Sequence, residues 1–211
     1  MIQSDAITYS TELTYCDRSL SISTTCTIPV SVIRTSPYNL AWGTSVYAKV
    51  IATNIYGNSV ESAAGNGAVI TTTPDAPINL AENTSFRTKS TIGLTWSKAD
   101  FIGGAEIIDY RISISQLDGI YSVLASNVVS SSYMAIDLTA GLTYGFKIES
   151  RNSYGYSPYS SIITLLCAYV PDPPTTVSTT NSADKVTVTW SSPENNGSPI
   201  TAYKIYIRQT D

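Results

Sequence analysis

The chain has 211 residues, no histidine and a net charge of -4 from 16 acidic and 12 basic side chains. A negative charge with no basic stripe argues against binding to nucleic-acid phosphates, and the absence of imidazole excludes Ser/His/Asp triads and histidine metal sites. The length allows one or two domains, and about 100 residues suffice to bury a core. The many Thr, Ser, Val and Ile residues and 15 tyrosines predict an all-β protein.

Two cysteines stand out near the start of the chain. Cys16 and Cys26 lie ten positions apart and flank a turn-rich stretch. A disulfide between them would contribute roughly 3 kcal/mol in the chain-entropy model and would imply an oxidising compartment. Two reduced, buried cysteines are the alternative. A metal site is not expected, because no other Cys or His lies nearby.

The rest of this first piece predicts strands. Residues 25–33, rich in β-branched side chains, are predicted to form a strand. The alternation of Val46, Ala48, Val50 and Ala52 predicts the inward face of the next strand.

An internal repeat divides the chain. At an offset of 98 positions, identical residues recur between 40–59 and 138–157, and proline clusters recur at 74–77 and 171–174. The markers agree on a period of about 96 residues. They predict the C-terminal part of a first repeat at 1–73, a complete second repeat at 74–169 and the N-terminal part of a third at 170–211. The proline clusters would be stiff, extended connectors.

The second repeat is predicted to contain seven short strands separated by Gly, Asn and Ser. Such punctuation indicates an antiparallel sandwich. The expected strands are 78–83, 91–97, 107–115, 121–124, 132–138, 142–152 and 160–169.

Several motifs in this repeat resemble fibronectin type III repeats. They are the proline linker, Trp96 on the second strand, Tyr110 on the third, the Leu-x-x-Gly-x-x-Tyr corner ending at Tyr144, and the Asn-x-x-Gly-x-Ser turn from Asn152. The resemblance covers 74–169 and most of both flanks. It implies tandem seven-stranded antiparallel β-sandwiches of the immunoglobulin-like type. The cysteine-containing stretch of the first piece, with its later Asn-Ile-Tyr-Gly turn, also resembles long secreted repeat proteins of ciliated protists.

The resemblance assigns the large aromatic residues to the cores of the repeats. Their structural role is expected because large aromatic side chains dominate core burial, and the Tyr144 hydroxyl should bond to nearby backbone. In the first repeat Val46 takes the place of this tyrosine, so that corner lacks the hydroxyl and Tyr47 should point outward. The predicted core residues are Trp96, Tyr110, Tyr144, Trp190 and Tyr203.

A contact between consecutive repeats is predicted from loop positions. Strands alternate in direction, so the loops that carry Phe101, Tyr154 and Tyr156 should face the preceding repeat. Trp42 lies in the corner loop of that preceding repeat, where the second repeat has Ala140. We expect Trp42 to pack against Phe101 or against the loop from Tyr154 to Tyr156. The alternative is an exposed tryptophan that is available for other interactions.

Two triplets, Asn83-Thr-Ser85 and Asn196-Gly-Ser198, match the N-glycosylation acceptor pattern, although Asn196-Gly197 is also a turn signal. Cys167 is expected to be a small buried hydrophobic residue. The acidic residues, Asp109 and Glu149 among them, are scattered and predicted to be solvated.

The sequence therefore predicts a non-catalytic segment of an extracellular or cell-surface array that acts as a structural or adhesive rod or filament. The alternative is an accessory region of a secreted enzyme or receptor whose working domain lies elsewhere. No catalytic residue, metal site, cofactor or small-molecule substrate is predicted. The expected partners are neighbouring repeats and lateral filament partners. No apolar run reaches the roughly 20 residues that cross a bilayer, so no membrane span is expected in this segment.

Overall fold

The structure, a computed structural model, describes residues 8–12, 14–16, 22–65, 67–116 and 118–209. The chain divides into two compact units. The first contains residues 1–75, 99–108 and 150–158, and the second contains residues 76–98, 109–149 and 159–211.

The first unit has little regular structure. Within its described residues, one short helix accompanies two antiparallel strand pairs, in which β1 pairs with β4 and β2 with β3. The elements are α1 (Val30–Ile33), β1 (Ser45–Val46), β2 (Thr53–Asn54), β3 (Gly57–Asn58) and β4 (Ala68–Val69).

A small apolar cluster holds this unit together. Ile33, Tyr38, Leu40 and Ile70 are all at most 6% exposed, and partly buried side chains that include Trp42 pack against them. Burial of this apolar surface is the main term that stabilises the unit.

The strand predicted at 25–33 is wrong, because residues 25–29 belong to no helix or strand and the last four residues form helix α1. Pro29 precedes the helix and its carbonyl accepts the Val32 N–H, while the Arg34 N–H donates to the Val30 carbonyl. Proline lacks a backbone N–H and has a fixed φ, so it disfavours a strand and suits a helix start.

Of the four residues predicted to form the inward face of the next strand, only the first is partly buried. Val46 packs against the apolar cluster, but Ala48 and Ala52 are exposed and Val50 is 68% exposed. No described strand of the first unit covers these three residues.

The second unit contains a two-sheet sandwich and an additional hairpin. One sheet has the strand order β5-β6-β9 and the other has the order β11-β10-β7-β8, while β12 pairs with β13. The strands are β5 (Ile78–Glu82), β6 (Ile92–Ser97), β7 (Asp109–Ser115), β8 (Ser122–Val128), β9 (Ser132–Ala135), β10 (Thr143–Arg151), β11 (Ile163–Leu166), β12 (Thr175–Ser182) and β13 (Lys185–Ser191).

The core of the sandwich lies on the facing sides of the two sheets. Ile92 and Leu94 on β6 and Phe146 and Ile148 on β10 are all 0% exposed, as the period-two alternation of these strands requires. The all-β sandwich predicted from the sequence is confirmed, with seven described strands between residues 76 and 169.

The hairpin of β12 and β13 repeats the pairing of β5 and β6. Ala81 lies opposite Thr95, and Ser178 opposite Thr189, and both pairs of strands have a register shift just before this point. The internal repeat seen in the sequence therefore extends to strand register.

Two carboxylates predicted to be solvated are buried. Asp109 is 3% and Glu149 is 6% exposed. The Arg111 guanidinium lies 2.6 Å from the Glu149 carboxylate. A buried charge requires such a partner, and the sequence did not indicate this cross-strand pair.

Within the described residues, no helix is long and apolar enough to cross a membrane.

Candidate functional site

Three backbone hydrogen bonds organise a group of loops in the first unit, here called the upstream cluster (residues 42–43, 70–75, 101–104 and 150–155). The Gly43 N–H donates to the Ile70 carbonyl at 2.8 Å, the Thr72 N–H to the Gly103 carbonyl at 2.9 Å, and the Asp75 N–H to the Phe101 carbonyl at 3.0 Å. These bonds fix the segment that leads into the proline cluster at 74–77.

The same three bonds occur in the second unit, in the downstream cluster (residues 140–141, 167–172 and 194–197). The Gly141 N–H donates to the Cys167 carbonyl at 2.8 Å, the Tyr169 N–H to the Asn196 carbonyl at 2.9 Å, and the Asp172 N–H to the Glu194 carbonyl at 3.0 Å. Donor, acceptor and distance therefore agree bond for bond at the two proline clusters.

Each cluster contains a close approach of two glycine backbones. A Cβ placed on Gly104 would lie 2.4 Å from the Gly43 nitrogen, and a Cβ on Gly197 would lie 2.5 Å from the Gly141 nitrogen. All four glycines have φ values between 77° and 92°, a region that favours glycine. Both the contact and the backbone conformation thus require glycine at positions 104 and 197.

Asn152 supplies a side-chain clamp in the upstream cluster. It is 2% exposed, and its amide nitrogen donates to the carbonyls of Thr72 at 2.7 Å and Ile102 at 2.9 Å. Its oxygen accepts the N–H groups of Tyr154 and Gly155. The amide therefore uses both of its hydrogens and both acceptor positions.

The downstream cluster obtains its amide from a different position. Asn196 is 7% exposed, and its nitrogen donates to the Val170 carbonyl at 2.8 Å and to the Asp172 carboxylate at 2.9 Å. The equivalent upstream residue is Gly103, where a Cβ would lie 2.8 Å from the Asn152 nitrogen. A side-chain amide thus stands beside the linker in both clusters, although the two amides come from different loops.

Trp42 extends the upstream cluster with aromatic contacts. Its ring centroid lies 6.1 Å from that of Phe101. The Arg34 guanidinium lies over the Trp42 ring in a cation–π contact, with its central carbon 4.3 Å from the ring centroid. Tyr154 is 63% exposed, and Tyr156 lies 5.4 Å from the Arg151 guanidinium. Of the predicted contact residues, the structure therefore brings Trp42 and Phe101 together.

The corner before the downstream cluster is held by a tyrosine. The Tyr144 hydroxyl accepts a hydrogen bond from the Thr139 backbone N–H at 3.0 Å, and Tyr144 is 3% exposed. The first unit has the apolar Val46 at the equivalent position, and Tyr47 is 37% exposed.

The contact between Trp96 and Tyr110 in the sandwich recurs between Trp190 and Tyr203, but the second pair is less buried. Trp96 and Tyr110 are buried with centroids 5.3 Å apart, and Trp190 and Tyr203 lie 5.2 Å apart. Trp190 is only half-buried and Tyr203 is 43% exposed. The expectation that these last two are core residues differs from the structure, because no described strand of the second unit covers their face.

The cysteines follow two patterns. Cys16 and Cys26 form a disulfide, with their Cα atoms 5.5 Å apart. Cys167 is a buried free thiol whose Sγ donates to the Lys89 carbonyl at 3.3 Å. Burial raises the pKa of this thiol, and the nearby Arg87 guanidinium lowers it by less.

The two N-glycosylation triplets lie in different surroundings. Asn83 is half-buried and uses its side-chain oxygen to accept the Ser85 N–H at 3.2 Å. Asn196 uses its nitrogen inside the downstream cluster. In the part of the chain that the structure describes, no group of three or more Cys, Asp or Glu side chains could hold a metal ion.

The sequence shows both glycines of each close approach, but it does not show that they meet. Gly43 and Gly141 recur with the corner motif, and Gly104 and Gly197 recur three residues before a shared isoleucine. That the first pair meets the second is a contact between distant positions. Local patterns do not predict such contacts.

Residues 75–165 match the family model of the fibronectin type III domain, and the sandwich described above is in keeping with that match. The chain is 37% identical over 106 residues to a Kelch domain-containing protein of Saccharolobus solfataricus, covering 50% of this chain and 14% of that protein. It is 27% identical over 191 residues to Protein sidekick-1 of Homo sapiens, covering 87% of this chain and 8% of that protein.

Among solved structures, a crystal structure of titin domains aligns with a TM-score of 0.49 at 18% identity, over 62% of this chain and 44% of that chain. With coverages of 14% and 8%, the chain spans only a small part of the length of the two curated relatives.

Proposed function

We propose that this chain is a non-catalytic structural or adhesive segment of an extracellular array of fibronectin type III repeats, in which the two clusters are stiff joints between consecutive repeats. The upstream cluster would join repeats 1–73 and 74–169, and the downstream cluster would join 74–169 and 170–211. The single observation that carries the proposal is the recurrence of the same three backbone bonds at both proline clusters.

Backbone bonds and a glycine contact suit a load-transmitting joint. Backbone hydrogen bonds can fix the angle between two consecutive repeats without the entropy cost of ordering long side chains. The proline cluster adds stiffness because φ is fixed at each proline. A rod or filament assembled from such joints would keep its spacing under tension, and its other surfaces would remain open to lateral partners.

The extracellular or cell-surface setting is part of the proposal. The Cys16–Cys26 disulfide supports it, because disulfides persist in oxidising compartments. The alternative function is that of an accessory region of a secreted enzyme or receptor whose working domain lies outside this segment.

Nitrogen-15 relaxation tests the stiffness of the joints. The backbone order parameters of Thr72, Asp75, Tyr169 and Asp172 should be about 0.85, as in the strands. Values below about 0.6 would mean flexible linkers and would contradict the proposal. Mass spectrometry of the protein from its natural source tests the setting, since reduced Cys16 and Cys26 together with an unmodified Asn83 would contradict secretion.

A further inference from the structure

The side-chain nitrogen of Asn196 is both a hydrogen-bond donor in the downstream cluster and the acceptor atom of a glycosylation triplet. This nitrogen is the donor to Val170 and Asp172 in the downstream cluster. The same nitrogen is the atom that would carry a glycan in the triplet Asn196-Gly197-Ser198. We propose that N-glycosylation of Asn196 and formation of the downstream joint exclude each other, so that this triplet is a modification site that sets whether the joint forms. This inference rests on the proposed secretory role and on the joint.

The hydrogen-bond inventory gives the first reason. A side-chain amide nitrogen has two hydrogens, and in the folded cluster both are donated, at 2.8 and 2.9 Å. In glycosylation this nitrogen forms a bond to the anomeric carbon of a lipid-diphosphate-linked oligosaccharide. The bond from that carbon to the diphosphate breaks, the lipid diphosphate leaves, and the nitrogen gives up one proton. At least one of the two hydrogen bonds is therefore lost.

Burial gives the second reason. Asn196 is 7% exposed, whereas a glycan is bulky and requires a surface position. The neighbouring Gly197 backbone lies against Gly141 with no room even for a Cβ. A sugar attached to Asn196 would have to displace the linker at Val170 and Asp172.

Asn83 provides an internal comparison. Its side chain is held through the oxygen, by the Ser85 N–H, so a glycan on the nitrogen leaves that bond in place. Asn83 also lies outside both clusters. Occupancy at Asn83 should therefore be independent of the joint.

The experiment expresses the full chain in a secretory host that glycosylates proteins and measures occupancy at both asparagines by peptide mass spectrometry. Gly197→Ala keeps the acceptor triplet but places a Cβ against the Gly141 nitrogen, which opens the downstream joint. Gly104→Ala is the matched control, because it makes the equivalent clash upstream. We expect Gly197→Ala to raise occupancy at Asn196 severalfold over the unaltered chain, and Gly104→Ala to leave it unchanged. Ser198→Ala, combined with Gly197→Ala, should abolish the modification at Asn196 and leave Asn83 unchanged.

Hydrogen exchange completes the test. Molecules of the unaltered chain that carry a glycan at Asn196 should exchange the Tyr169 and Asp172 amides rapidly, while unmodified molecules should retain their protection. Equal occupancy at Asn196 in the unaltered chain and in Gly197→Ala would overturn the proposal. So would an unmodified Asn196 in Gly197→Ala, or a glycan at Asn196 with the two amides still protected. Failure of the joint itself would appear separately, as rapid exchange of the same amides in a protein that carries Ser198→Ala alone, which lacks the acceptor triplet at Asn196 but keeps Gly197.

Discussion

The upstream and downstream clusters share a backbone and differ in their side chains. Both use a glycine N–H bonded to the carbonyl of the residue just after a strand, two linker N–H groups bonded to a loop, and a close approach of two glycine backbones. Upstream, the corner carries Trp42, which has the Arg34 guanidinium over its ring and a tilted contact with the Phe101 ring. Downstream, Ala140 and Glu194 occupy the places of the two aromatic residues.

The two clusters also differ in what holds the corner. Downstream, the Tyr144 hydroxyl bonds to Thr139 within the corner, whereas Val46 supplies only apolar packing at the equivalent upstream place. The backbone pattern therefore defines the cluster, and either a contact between aromatic rings or a tyrosine hydroxyl bond can support it. Substitutions that affect one cluster and spare the other test this view.

The largest effect is expected from the glycines that contact a backbone nitrogen. Gly104→Ala should open the upstream cluster and Gly197→Ala the downstream one, each at a cost on the order of 3 kcal/mol from overpacking and backbone strain. Hydrogen exchange of the Gly43 and Gly141 amides measures this directly. Only Gly43 should lose protection in Gly104→Ala, and only Gly141 in Gly197→Ala. Gly119→Ala is the control, because its φ is 79° but nothing lies within 4 Å of the added Cβ.

The next largest effect is expected at Asn152. Asn152→Ala removes the donor from the buried carbonyls of Thr72 and Ile102, and an unsatisfied buried group costs about 1–3 kcal/mol. The Thr72 and Asp75 amides should exchange faster, while those of Tyr169 and Asp172 should not change. Unchanged protection at Thr72 would show that the amide is not a clamp.

A smaller effect is expected from Trp42. Trp42→Ala removes an aromatic pair and a cation–π contact, which together are worth about 1–2 kcal/mol. Protection of the Gly43 amide should fall, and that of the Gly141 amide should stay the same. Tyr47→Ala is the control, since Tyr47 is 37% exposed and belongs to neither cluster. An equal loss of Gly43 amide protection in both variants would show that the Trp42 contacts do not stabilise the upstream cluster.

The smallest effect is expected from Tyr144. Tyr144→Phe keeps the buried ring but removes the bond to the Thr139 N–H, at a cost of about 1 kcal/mol. The Thr139 and Gly141 amides should exchange slightly faster, and the Gly43 amide should not. A loss of protection across all of β10 would instead indicate that the substitution disturbs the sandwich core.

The sandwich could be predicted from the sequence because its signals are local. The alternation of Phe146 and Ile148 with polar residues fixes which face of β10 is buried. The corner motif at Tyr144 and the buried Trp96 follow from patterns within short segments. The seven strands appear close to their expected positions for this reason.

The clusters and the first unit could not be predicted in the same way. Gly104 is a turn residue in the sequence, and only the fold brings it to Gly43, 61 positions earlier in the chain. Asn196 matches a glycosylation triplet, and only the fold brings its side-chain nitrogen to Val170 and Asp172, which lie 26 and 24 positions earlier in the chain. At 25–33 the β-branched pattern was overridden by Pro29, which starts a helix.

Hydrogen exchange of the four linker amides in the unaltered chain is the most direct test of the central claim, that one backbone pattern forms twice. We expect the amides of Thr72, Asp75, Tyr169 and Asp172 all to exchange at least about 100-fold more slowly than those of an unstructured peptide. Thr72 and Tyr169 should behave alike, as should Asp75 and Asp172. Exchange of either pair at the rate of an unstructured peptide would contradict the claim.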